Sequence, residues 1–415
     1  MTMPGELEPL AVTLARRLAT EGEPVVTSRS DALAVVEAIR EATTRFADAD
    51  RGAGGSSVLR LALELLRSVE TRDAFEVLRA EGIPPLLDHF DARLASGLMD
   101  AGERADLSML LAVASSFRVE AVVDRVVAAA FAGLTDDRAA WTAILSAYDR
   151  SHPFRRRLAT ALRDPPPKGA LGSVYLAFVN ALSREGEVLS HPFDTPEGRA
   201  RILAWLEDRD ATPAEYLVAA QALAFLNADA AEALFERASV HGDPRVRVEA
   251  FRGLARRGTP GAVDALVALA SDPRSFRHAS SALRALGCGE RIPDAASVEE
   301  FQALAELAHW LAHPNELDRP PDDLAVIDTR VMDWPPAGER RRLWLIRYTY
   351  RRDPEIEGFG LVGSVTYSRI GEPVAGRSVE DLYALHCVWE LEIRQDPRAP
   401  EVASLAQGRA LLGWN

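Results

Sequence analysis

His309 and His313 stand four residues apart in Glu306-Leu307-Ala308-His309-Trp310-Leu311-Ala312-His313. On a helix that spacing puts both imidazoles on one side, as a metal pair requires, and Glu306 can join from the same face. The segment lacks the His-Glu-x-x-His order of a zinc hydrolase, so interdomain packing or charge compensation at a helix C-terminus is the expected role. Gly358-Phe359-Gly360-Leu361-Val362-Gly363-Ser364-Val365 satisfies the spacing of kinase glycine loops and of dinucleotide fingerprints. Context opposes both, because the run opens an expected strand and no lysine follows it. A glycine-rich strand turn is expected instead. His386, Cys387 and Glu390 share another expected helix. Adjacent helical residues diverge, so His386 does not face Cys387, whereas His386 and Glu390 are expected to form a surface pair.

The densest basic feature is Arg340, Arg341, Arg342, Arg347, Arg351 and Arg352, interleaved with Trp344, Tyr348 and Tyr350. Arginine and aromatic rings together can stack on bases or grip phosphates. Strand alternation separates them: Trp344, Ile346, Tyr348 and Tyr350 share one face, while Arg347, Thr349 and Arg351 share the other. Arg347 and Arg351 are thus candidates for contact with an acidic surface. Lysine chemistry is confined to Lys168 in the Pro165-Pro166-Pro167-Lys168-Gly169 loop, the one lysine among 48 basic residues. Cys288 and Cys387 are too few for a disulfide framework or a multi-cysteine zinc site and read as small buried residues.

The elements that must position these residues are mainly helical. A chain of 415 residues exceeds one ordinary core and implies several domains or one extended array. The formal net charge of −14 opposes broad electrostatic binding to nucleic acid, although local basic patches remain compatible with it. Residues 320–415 hold 15 acids and 12 arginines, a net of −3, so about −11 falls on the preceding part. Met1-Thr2-Met3-Pro4-Gly5-Glu6 lacks the basic lead and apolar run of a secretory signal, and no apolar run approaches a membrane span. A cytoplasmic location, with no membrane contact, is the expectation.

Order is clearest from Asp243-Pro244-Arg245-Val246-Arg247, followed by Ala250, Leu254 and Gly258. The cadence returns 29 residues later as Asp272-Pro273-Arg274, Ala279, Leu283 and Gly287, with Thr259-Pro260-Gly261 opening a helix over 262–270 between them. A further unit precedes, with Ala219, Leu223 and Leu226 on one helix and Ala231, Leu234 and Phe235 on the next. Near-constant spacing marks helix pairs that cannot bury their apolar stripes alone. Asp-Pro turns the chain and caps the next helix, Ala allows close approach, and Gly258 and Gly287 end helices in left-handed geometry. Over residues 214–287 this cycle resembles HEAT repeats, in particular the short repeats of phycobilisome lyase-like proteins. The resemblance implies a HEAT-like α-solenoid, and the strand and helix patterns downstream add a small C-terminal α+β module, so the fold is expected to be mainly α.

Upstream, apolar residues recur at three and four positions in 59–66, 107–114 and 122–129, with breaks at 51–57, 83–85 and 164–167. The expected divisions are irregular or degenerate helical pairs over 1–210, HEAT-like repeats over 211–318 and the α+β module over 319–415. In that module, residues 318–323 and 334–336 read as a linker or irregular approach, 343–352 and 362–370 as antiparallel strands joined by a 353–358 loop, and 379–395 as a helix capped by Ser378.

The array implies a non-enzymatic scaffold that binds another protein without a cofactor. Arg247, Arg252, Arg256, Arg277 and Arg284 are its candidate partner-facing strip. Two alternatives stand beside it. One is an enzyme or enzyme accessory, either chromophore-lyase-like or with metal- or nucleotide-dependent chemistry in the C-terminal module. The other is a nucleic-acid-binding HEAT-like repair protein, which the acidic balance disfavours.

Overall fold

Apolar residues three and four apart give each helix a single oily stripe, which only a neighbouring helix can cover. The computed structural model describes residues 26–48, 54–97, 99–188, 190–208, 210–227, 229–351, 355–370, 374, 376–391 and 401–414. Residues 1–6, 51–53, 352–354 and 392–395, to which the sequence assigns a chain start, a break, a strand end with its loop, and a helix end, lie outside them. The chain is mainly α, with one four-stranded antiparallel sheet, and divides into two units, Met1–Gly198 and Arg199–Asn415. Among the described residues no helix is long and apolar enough to cross a membrane.

The first unit contains α1 (Arg29–Asp48), α2 (Gly54–Arg67), α3 (Arg72–Val77), α4 (Ile83–Ser96), α5 (Ala101–Ser116), α6 (Glu120–Ala132), α7 (Arg138–Ser146), α8 (Arg155–Ala161) and α9 (Gly169–Arg184). Side by side, α2, α5, α7 and α9 form one row, and α4, α6 and α8 another. Helix starts follow their sequence signals: Asp100 and Glu103 close a reciprocal capping box on α5, and Asp137 caps α7.

From α10 (Pro196–Glu207) the chain enters the second unit: α11 (Pro213–Ala222), α12 (Glu232–Ser239), α13 (Pro244–Arg256), α14 (Ala262–Ala270), α15 (Phe276–Ala285) and α16 (Glu299–Leu311). Here α11, α13 and α15 lie side by side, with α12 and α14 packed beneath α13 and α15. Val248, Leu266, Ala270, Ala279 and Leu283 form their shared core. Gly258 and Gly287 take φ of +73° and +74°, the left-handed ends expected of them. Asp243 caps α13 as expected, whereas α15 starts after Ser275, so Asp272 holds a turn three residues earlier.

The sheet runs β1 (Asp323–Trp334), β2 (Glu339–Tyr350), β3 (Ile356–Val362) and β4 (Tyr367–Ile370), each antiparallel to the next. This corrects the two-strand expectation. Residues 323–334, left largely unassigned between expected linker segments, form the longest edge strand, and the second expected strand splits into β3 and β4. Both sheet faces are covered, not one. Ile346, Tyr348, Tyr350 and Val362 pack on Ala303, Leu307 and Leu311 of α16. Leu343, Leu345 and Leu361 pack with Leu382, Tyr383 and Cys387 of α17 (Val379–Glu390), which α18 (Glu401–Leu411) flanks. Ser378 caps α17 as expected, accepting from Asp381 N–H at 3.2 Å.

Candidate functional site

The repeated Asp-Pro-Arg residues use their own charges internally. Asp243 Oδ1 accepts from the Arg245 backbone N–H at 2.8 Å, and Arg245 folds back to place Nη2 2.8 Å from Oδ2. Tyr216 donates its hydroxyl to that oxygen at 3.1 Å. The two charged side chains are only 5% and 4% exposed. Burial, the largest influence, would raise the Asp243 carboxyl, but the hydrogen bonds and charge of Arg245 prevail and hold it below its ordinary value. The remaining guanidinium hydrogens reach Ala312 O at 3.2 Å and Asp318 O at 2.6 Å. Asp272 and Arg274 repeat the pattern: Nη2 lies 2.7 Å from Asp272 Oδ2, and Nη1 donates to Asp322 O at 2.9 Å. Both arginines therefore fasten the segment between α16 and β1 to the repeats.

In the first unit histidine turns take the comparable place before a helix. Phe154 N–H donates to His152 Nδ1 at 3.2 Å, and Phe193 N–H to His191 Nδ1 at 3.3 Å. With Nδ1 accepting, Nε2 carries the proton toward Ser115 O (3.1 Å) and Asn180 Oδ1 (3.0 Å), respectively. The signal was present in the sequence as Ser-His-Pro-Phe at 151–154 and again at 190–193. Between α2, α5 and α7 lies an open groove of about 760 Å³, lined chiefly by small side chains such as Ala105, Ser108, Ala112 and Ala143.

The candidate strip is divided by the fold. Arg247 is half-buried and donates to His241 O at 2.9 Å, beside the turn that starts its own helix. Arg252 pairs with Glu249 at 3.4 Å. Arg256 is exposed, one turn beyond the half-buried Arg252. Arg277 and Arg284 are exposed two turns apart on α15, and among the described residues neither is held in an ion pair. Arg347 is exposed on β2, and Arg351 is exposed with its backbone N–H on Asp322 Oδ2 at 2.7 Å. The fold thus brings Arg252, Arg256, Arg277 and Arg284 onto neighbouring helices and leaves Arg347 and Arg351 on the sheet.

His309 and His313 are exposed on and just after α16. The His309 ring meets His278 of α15 edge-on, with centroids 6.2 Å apart, and His313 Nδ1 accepts from Asn315 N–H at 3.2 Å. Glu306 does not join them; it turns to the sheet and accepts from Thr366 Oγ1 at 2.5 Å. Among the described residues no group of three or more His, Cys, Asp or Glu side chains is placed to hold a metal ion. Burial and then Arg245 and His309 push His278 down to about 4, while burial, Arg277, His313 and Arg245 lower His309. Burial is the larger cause of both shifts, and the neighbouring arginines add to it.

The glycine run has a packing cause. A Cβ at Gly360 would stand 2.5 Å from Leu307 Cδ1, and one at Gly358 would strike the Tyr348 ring across the strand pair. Gly358 and Gly360 lie in β3, not in a turn as expected, and admit Tyr348 and α16 against the sheet, whereas Gly363 sits in the bend after β3 at φ +117°. The expected surface pair of His386 and Glu390 is also corrected. His386 is buried, with its ring edge-on to Trp389 at 5.2 Å, and burial pushes it down to about 3. Glu390 instead accepts from Trp334 Nε1 at 2.7 Å and Ser364 Oγ at 2.5 Å. Cys387 is buried in the sheet core, which pushes its thiol up to about 12 and leaves no ready thiolate.

No curated protein and no solved structure matches the chain. Residues 200–287, from α10 through the Gly287 turn, match the family of HEAT repeats.

Proposed function

We propose that the protein is a non-enzymatic scaffold that binds another protein through the outward face of α13 and α15. Rows of stacked helix pairs bury a core between layers and leave the outer side of each row as a continuous surface. The observation that carries this reading is the contrast among arginines of the repeats. Arg245 and Arg274 are consumed by internal carboxylates and carbonyls, whereas Arg277 and Arg284 stand outward with no ion pair among the described residues. Arginine at an exposed face offers directional donors to a partner at little cost to the fold.

Affinity purification from the native cell, followed by mass spectrometry, tests it with the Arg256→Glu/Arg277→Glu/Arg284→Glu variant. Loss of a captured protein at unchanged melting temperature is expected. Equal loss of capture and of thermal stability would assign these arginines to structure instead.

A further inference from the structure

We propose that the outward face of α13, α15 and α16 takes an extended acidic segment of its partner protein, an inference that rests on the scaffold reading and narrows it. The exposed positions of α15 are Arg277, Ser281, Arg284 and Ala285, so this helix offers cations and no carboxylate. On one side Arg256 of α13 is exposed, one turn beyond the half-buried Arg252–Glu249 pair; on the other, His309 lies against His278 beside Arg277. This concentration of positive charge sits in a chain whose formal net charge is −14. At physiological salt, charges act over a Debye length of about 8 Å, so a short acidic segment meets the local strip while a long polyanion also meets the acidic remainder. That difference favours a protein segment over nucleic acid.

Spacing narrows the partner's form. Arg277 and Arg284 are seven residues apart, about 10 Å along α15, and packed helices lie about 8–10 Å apart. An extended polyproline II chain covers about 9 Å in three residues and returns every third side chain to the same side. A polyproline II segment running along α15 can therefore present one carboxylate to Arg277 and the next to Arg284 when acids fall at every third position. Arg277 and Arg284 would each take a bidentate carboxylate, while His309, held below its ordinary value and so uncharged at neutral pH, stands at the end of the track as a neutral ring.

The test uses the full chain and a fluorescein-labelled peptide with glutamate at every third position among serine and glycine, read by anisotropy. A glutamine counterpart and an oligothymidylate of equal charge are the comparison probes. The glutamate peptide should bind in a salt-dependent manner, and Arg277→Glu/Arg284→Glu should weaken it by about tenfold or more, with Arg277→Gln/Arg284→Gln intermediate and melting unchanged. Equal affinity for the glutamine peptide, tighter binding of the oligothymidylate, or indifference to both double variants would overturn the inference. If the native partner is still captured by Arg277→Glu/Arg284→Glu, the acidic-segment inference falls while the scaffold reading stands. If the unsubstituted protein captures no partner, the scaffold reading itself falls.

Discussion

Arg245 donates from Nη2 to the carbonyl oxygen of Asp318, 73 residues further along the chain, at 2.6 Å. The same nitrogen lies 2.8 Å from the Asp243 carboxylate, so one buried side chain ties a repeat turn to the segment that leads into the sheet. Its equivalent Arg274 does the same for Asp322 from a half-exposed position, with side-chain exposures of 33% for the arginine and 25% for Asp272.

Replacing Arg245 by leucine removes the countercharge of Asp243, leaving it the Tyr216 hydroxyl and one backbone N–H as donors, and strips two backbone carbonyls of theirs in a nearly closed site. A loss of about 3–5 kcal/mol is expected in urea unfolding. Arg274→Leu, where water can replace the lost donors, should cost about 1 kcal/mol. Equal losses for the two variants would show that burial does not set the value of the pair.

At Gly360 the expectation concerns close approach. Gly360→Ala forces Leu307 off its seat on β3 and should cost about 1–3 kcal/mol. Leu307→Ala alone leaves a cavity worth about 2–5 kcal/mol. The double variant should lose clearly less than the two single losses combined, because each change relieves the other. Strict additivity in a double-mutant cycle would mean that the two groups do not meet.

These examples show which features were legible in the sequence. Helix α14 covers the residues marked out by its Pro-Gly opening and its apolar cadence, since both signals are local. The spacing of Gly358, Gly360 and Gly363 was legible as a pattern but not as a cause, because each has its own: Tyr348 across the strand pair, Leu307 from a helix about fifty residues upstream, and the Arg342 carbonyl beside a positive φ. Burial of His386 was likewise hidden: its four-residue spacing from Glu390 holds, but Trp334 of β1 and Ser364 of the bend after β3 claim that carboxylate. The role of Arg245 could not be inferred from the repeat alone, since Ala312 and Asp318 lie outside the matched segment.

His191 supplies a pH prediction. Burial pushes it down to about 4, and its Nδ1 already accepts from Phe193 N–H, so a proton there would set a donor against a donor. The unfolded chain takes that proton near 6.5 while the folded chain resists until about 4. The unfolded state therefore binds more protons in this window, and stability is complete above it and falls as the pH drops through it. Up to about 3 kcal/mol is involved. His191→Gln should flatten the fall in urea midpoint between pH 6.5 and 4 relative to the unsubstituted protein, whatever it costs at neutral pH. An unchanged slope would show that the His191 site is not proton-linked to folding.

The last prediction concerns the strand that alternation did not reveal. Val326 pairs with Ile346 on the α16 face and Asp328 pairs with Leu345 on the α17 face, although Ile346 and Leu345 are adjacent. Ile327 is thus an extra residue in a bulge, 37% exposed, and it sends the even-numbered residues on either side of it to opposite faces. Leu324 and Val326 meet α16, whereas Arg330, Met332 and Trp334 turn to α17, where Arg330 lies over the Tyr383 ring at 5.0 Å and pairs with Glu380 at 2.6 Å. Deletion of Ile327 restores plain alternation without moving any of these residues, so stability should change by no more than about 1 kcal/mol. Deletion of Val331 also allows a regular strand, but it turns Asp328 and Arg330 onto the apolar α16 face and should cost at least about 2 kcal/mol. Denaturant unfolding of both deletions decides the matter: a deletion of Ile327 as damaging as that of Val331 would mean that the bulge does more than correct the register.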